Sequence, residues 1–147
     1  DTCVVSAGIR AMQGWPMDPG MARAGAELGL ALGGHEARQV TGRMIANTAA
    51  VVVFGPEHRA WMRQEFPEHM GRVLAIGQVA RGLGMLPRNR RLPLTQVVEA
   101  VTSGAPRIVD TDWIEDPYGY DDRVKMICAK RILAAVDILA TRVDWGD

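Results

Sequence analysis

Short apolar runs alternate with helix-forming stretches along this chain, and that alternation limits the fold more than any other feature. Residues 49–54, AAVVVF, lack the every-second-residue polarity of a strand with one wet face, so they read as a strand covered on both sides. Residues 2–9 and 72–76 are two further candidate strands, the first bounded by Ser6, Ala7 and Gly8. Between and after them lie helix signals. Asp18 is placed to cap a helix opened by Pro19, with Met21, Ala24, Leu28 and Ala31 on one face and Gly33–Gly34 as its stop. Thr41 precedes a short helix through Ala46, and Pro56 opens another whose Trp61, Met62 and Phe66 point inward. Residues 77–83 read as a helical turn, and residues 94–104 as a helix stopped by Gly104. The last helix spans about 121–143, with Val124, Ile127, Cys128, Ile132, Ala135, Val136 and Leu139 on its inner stripe. Strands alternating with helices predict an α/β fold: a parallel sheet, helices on both faces, and ligands at the carboxyl ends of the strands.

Size and charge narrow the function classes. The 147 residues, 48% of them hydrophobic, suit one domain with a real core. Seventeen basic side chains balance seventeen acidic ones, so the net charge selects neither nucleic acid nor an anionic membrane as partner. Cys3 and Cys128 form neither a ligand cluster nor a disulfide framework, which favours a reducing compartment and a cytoplasmic location. No apolar run reaches the ~18 residues of a membrane span. His58 and His69 lack ligand spacing and read as surface residues, and no metal site is visible. Arg88, Arg90 and Arg91 form a basic loop that either attracts a phosphoprotein or is simply solvated.

The stretch EDPYGYDD, 115–122, admits two readings. Asp116 before Pro117 starts a turn, with Asp121 or Asp122 capping the final helix. Alternatively, Asp116 is a proton donor at the rim of a cleft.

In that order along the chain, VVSAGIRAMQGWPMDP, GHEARQVT, VVVFGPEHR and DPYG resemble the low-molecular-weight protein tyrosine phosphatases, in the form common in high-GC bacteria. The resemblance spans nearly the whole chain. It implies a flavodoxin-like or Rossmann-like three-layer fold with a four-stranded parallel sheet, of which three strands are visible here. It also implies a phosphatase for phosphotyrosine proteins or small aryl phosphates that needs no cofactor or metal. In that family a loop with a nucleophilic Cys, five residues and an Arg cradles the phosphate with backbone N–H groups that lower the thiol pKa. Asp116 would be the general acid and base, with Pro117 fixing its backbone. Tyr118 would wall the substrate ring, and His35 would steady the phosphate loop, the alternative being an N-cap or surface histidine after two glycines; Trp15, in the loop after the strand at 2–9, reads equally as a cleft-lining aromatic or as a structural one. Gly119 stands where the family often has a second Tyr, followed here by Tyr120.

The family's nucleophile loop precedes the strand matched by residues 2–9, so the strand–loop–helix unit, roughly 30 residues or more, is absent from residues 1–147. Cys3 and Arg10 do not replace it, because six residues separate them and the segment lacks the glycines of an anion nest. A buried strand cysteine is the favoured reading of Cys3. The missing strand would be central, leaving backbone groups unpaired at ~1–3 kcal/mol each. The expectation is therefore either a nucleophile segment ahead of residue 1 or another chain or a rearrangement that fills the gap. The alternatives are a phosphatase-like binding or scaffold protein without catalysis and, more distantly, an arsenate reductase, for which Cys128 is badly placed.

Overall fold

The computed structural model describes residues 2–146. Six α-helices and four short strands follow in order: α1 (Pro19–Glu27), α2 (Gly42–Ala46), β1 (Val51–Val53), α3 (Pro56–Glu65), β2 (Val73–Ala75), α4 (Ile76–Gly84), β3 (Leu92–Pro93), α5 (Val97–Gly104), α6 (Asp122–Arg142) and β4 (Val143–Asp144). Single 3-10 turns precede β2, α5 and the segment leading to residue 116.

Helix starts form where side chains meet the free N–H groups of a first turn. Asp18 accepts from Met21 N at 3.0 Å, Thr41 from Met44 N at 3.3 Å and Asp121 from Val124 N at 3.0 Å. At α3 the donor is Gly55 N and the acceptor His58 Nδ1, 3.0 Å apart, so this half-buried histidine braces a turn rather than standing free on the surface. His69 is likewise half-buried, with Nδ1 2.6 Å from an Arg72 guanidinium nitrogen.

β1 and β2 pair in parallel with Val51 opposite Val73 and Val53 opposite Ala75. Their side chains alternate between faces, as a pleated strand requires. Val53 and Val73 join Ile45 and Met62 in one buried cluster, where Trp61 and Phe66 meet edge to face at 5.7 Å. Leu74 enters another with Val79, Leu83, Val97 and Val101. A third cluster, Ile76, Ile114, Cys128 and Ala135, seats α6 against the start of α4. β3 and β4 form a separate two-residue parallel pair that buries Leu92 and Val143.

Four sequence expectations are corrected. Residues 2–7 form no strand: only Gly8 bridges Gln39, and Cys3, Val4 and Val5 are exposed, Val4 at 75%. An apolar run becomes a strand only where a partner meets its N–H and C=O groups, and β1 pairs with β2 alone. Cys3 is accordingly a surface thiol. Helix α1 ends at Glu27, because Gly29 takes the left-handed conformation (φ 80°) that terminates helices, ahead of Gly33–Gly34. Val124, Ile127 and Val136 of α6 face solvent, since this helix packs on α1 and α4 and these residues point elsewhere.

Gly77 permits a close approach of backbone to backbone. A side-chain carbon there would run into the backbone of Asp112, so only glycine lets α4 meet the 3-10 turn Asp110–Asp112. Gly77→Ala should therefore lower unfolding free energy in urea by about 1–3 kcal/mol. Gly33→Ala, with open space around it, should stay within about 0.5 kcal/mol of wild type.

Candidate active site

The segment from residue 105 to 121 carries Asp116 and leaves the body of the protein as a strap tied at successive residues. Asp112, 1% exposed, receives Arg81 Nε and a second guanidinium nitrogen, each at 2.8 Å, and also accepts Val109 N at 2.8 Å. Arg81 donates further to the Arg107 carbonyl at 2.7 Å. From α6, Arg131 donates to the carbonyls of Thr111 (3.2 Å) and Trp113 (3.0 Å). Ile114 N donates to the Phe54 carbonyl at 2.9 Å, just past the carboxyl end of β1. The Cys128 thiol points at the Glu115 carbonyl at 3.9 Å. These ties deliver Asp116 to the rim of a cleft beyond the strand end, where an α/β fold places ligands.

That cleft, about 370 Å³, is lined by Met12, Asp18, Met21, Asp116, Pro117, Tyr118, Cys128 and Ile132. Asp116 is exposed, and its Oδ1 accepts Tyr118 N at 3.0 Å, an Asx turn that holds the carboxylate against its own loop. Tyr120 N donates to the Pro117 carbonyl at 3.0 Å, and Gly119 adopts φ 83°, which explains a glycine between the two tyrosines. Tyr118 is 68% exposed, its ring free to meet a ligand. Tyr120 OH donates to Glu115 Oε1 at 3.0 Å, and this carboxylate raises the phenol above its ordinary pKa.

Asp18 brings a second carboxylate to the same cleft. It is neutralised by Lys125 of α6, Nζ 3.0 Å from Oδ2, and this ammonium together with Met21 N holds the Asp18 carboxyl below its usual range. Gly20 lies against the Lys125 stem, which pins the start of α1 to α6. Burial raises the Cys128 thiol pKa at the cleft floor, with Arg131 opposing and Asp116 adding to the shift. A buried, protonated thiol is a poor nucleophile.

The structure brings Asp116, Pro117 and Tyr118 together. Trp15 and His35 are not among the cleft-lining residues. Trp15 is 61% exposed in the loop after Gly8, where its backbone pairs with Met12 and Ala37. His35 is exposed after Gly34 (φ 81°). Gln39 holds this region together, donating to the Ile9 carbonyl at 2.9 Å and accepting Ala11 N at 3.0 Å. Met12, Met21, Lys125 and Arg131 were silent in the sequence as site residues, because their neighbours come from other elements. Among the described residues no three His, Cys, Asp or Glu side chains gather as a metal site, and no helix is long and apolar enough to cross a membrane.

Comparison with known proteins places this architecture. The chain is 30% identical over 76 residues to the probable low-molecular-weight protein-tyrosine-phosphatase EpsP of Ralstonia solanacearum, a match covering 52% of each chain. It is 26% identical over 110 residues to EpsP of Ralstonia nicotianae, covering 71% of this chain and 76% of that protein. It thus spans about half the length of the first relative and three quarters of the second. The chain is similar in sequence to low-molecular-weight protein tyrosine phosphatases. No family model matches it.

Solved structures share the fold. Erwinia amylovora tyrosine phosphatase AmsI superposes with a TM-score of 0.66 at 18% identity, covering 94% of this chain and 73% of that one. The YwlE arginine phosphatase from Geobacillus stearothermophilus gives 0.66 at 19% identity over 92% and 70%. Vibrio vulnificus Wzb in complex with benzylphosphonate gives 0.64 at 21% identity over 91% and 75%. Residues 2–146 thus share the α/β fold of these solved structures.

The Arg81 guanidinium holds the Asp112 carboxyl below its usual range, so the folded state binds its proton less tightly than the unfolded chain. The stability this contributes is present above the unfolded carboxyl pKa of about 3.9 and is lost as pH falls through the lower folded value. Asp112→Asn should cost about 2–3 kcal/mol near neutral pH. In urea melts at stepped pH, that gap should close below about pH 4.

Proposed function

We propose that this chain is the body of a protein tyrosine phosphatase of the low-molecular-weight type, acting on phosphotyrosine or small aryl phosphates through a phosphocysteine intermediate. One observation carries the reading: Asp116, Pro117 and Tyr118 stand together on the rim of an otherwise largely apolar cleft at the strand ends. Asp116 protonates the leaving phenolate oxygen as the sulfur–phosphorus bond forms, then takes a proton from the water that breaks that bond. Tyr118 and the methionines give an aryl ring an apolar wall. The Lys125 ammonium cancels the charge of Asp18, so the cleft that receives a phosphate dianion carries one fewer free carboxylate.

Neither cysteine suits the nucleophile's role. Cys3 is on exposed coil outside the cleft, and the Cys128 thiol is held protonated by burial. The nucleophile loop and its strand are therefore assigned to a segment preceding residue 1. In support, β1 presents an open edge, with Val52 and Phe54 partly exposed and Val4 and Val5 uncovered. The buried thiol also favours a second reading, in which the cleft binds aryl phosphates without turning them over.

The test uses the protein expressed from its own complete gene. Asp116→Asn should slow kcat on phenyl phosphate by about 10²–10⁴-fold, and less on nitrophenyl phosphate, whose leaving group needs little protonation. Equal loss on both esters would remove Asp116 from the acid's role, and saturable aryl phosphate binding without turnover by wild type would favour the binding reading.

A further inference from the structure

We propose that Arg131 is a positioning residue for Asp116, holding the acid at its working distance through the strap backbone; this rests on the phosphatase reading above. The ties on the strap are consecutive and stop one residue short of the acid. Arg131 holds the carbonyls of residues 111 and 113, Arg81 holds the side chain of residue 112, the Phe54 carbonyl holds the amide of residue 114, and the Cys128 thiol faces the carbonyl of residue 115. Asp116 itself is bound only to its own loop, through Tyr118 N.

Arg131 and Cys128 lie one turn apart on α6, so both touch the strap from the same helix face. The strap re-enters α6 at Asp121, whose carboxylate caps that helix. The loop from 116 to 120 is therefore bracketed on both sides by α6, with Arg131 setting the near end and Asp121 the far end. Beside the near end lies an open depression of about 240 Å³ bordered by Gly77, Asp112, Ile114 and Arg131, so Arg131 acts there alongside the packing of Ile114 in the third cluster. One terminal guanidinium nitrogen donates to both carbonyls, its two N–H groups fixed in the guanidinium plane, an arrangement that the freely rotating ammonium of a lysine on its flexible stem does not hold.

Misplacing a reacting group by about 1 Å can cost 100-fold in rate. In the protein from its complete gene, Arg131→Met should lower kcat on phenyl phosphate by roughly 10–100-fold, with KM little changed and a smaller loss on nitrophenyl phosphate. Arg131→Lys should fall between the two. Amide hydrogen exchange on the same variants reads the position without activity, and should quicken across residues 114–118 while α5 stays protected. Equal loss on both esters, or unchanged exchange at 115–118, would overturn the proposal. Should wild type turn over neither ester, the phosphatase reading fails and exchange alone decides the positioning role. Should Arg131→Met lose protection throughout, Arg131→Lys is the deciding variant: quickened exchange confined to 114–118 supports the role, and unchanged exchange there overturns it.

Discussion

A carboxylate as deeply buried as Asp112 keeps its charge only if a cation meets its oxygens, and Arg81 meets both. That requirement fixes the 3-10 turn Asp110–Asp112 on α4, at a place where Gly77 lets the backbones touch. The following residues inherit their path from it. Trp113 and Ile114 run past α6 and the end of β1, and Asp116 emerges at the cleft rim. Because the guanidinium is itself partly solvated, the pair costs less to desolvate than a fully enclosed one. It locates a loop more than it adds stability.

The β1–β2 pair is the other fixed point. Its two faces feed separate clusters, so helices are held on both sides of only two strands. The opposite edge of β1 has no ladder partner among the described residues, and the apolar side chains near it are open to solvent. Such an edge is where a further parallel strand adds most, since it would satisfy backbone groups and cover Val52 and Phe54 together.

What the sequence disclosed was local. Asp18, Thr41 and Asp121 announce helix starts because a cap is satisfied within three residues, and Pro56 does so because a first helical position needs no N–H. The apolar runs at 51–53 and 73–75 announce strands, yet only 73–75 is buried on both faces; Val52 of β1 is exposed, so the reading of 49–54 as a strand covered on both sides is corrected. The Asp116–Pro117–Tyr118 group was legible only through the ordered resemblance, since an Asp-Pro pair alone equally starts a turn. Nonlocal features were hidden. Residues 92–93 find 143–144 across about a third of the chain, in a pair too short to leave a period. Residues 2–7 carry strand-like composition but lack a partner. Arg81, Lys125 and Arg131 look in sequence like any solvated helix charge, and their roles depend on acids and carbonyls contributed by distant segments.

The central claim is that Asp116 serves a cysteine nucleophile lying outside residues 1–147. The most direct measurement is to mix the protein from its complete gene with nitrophenyl phosphate, quench in acid and map any covalent phosphoryl group by peptide mass spectrometry. The account predicts one phosphoryl group on a cysteine that precedes Asp1. A phosphoryl group on Cys3 or Cys128, or turnover with no phosphocysteine trapped, would contradict it.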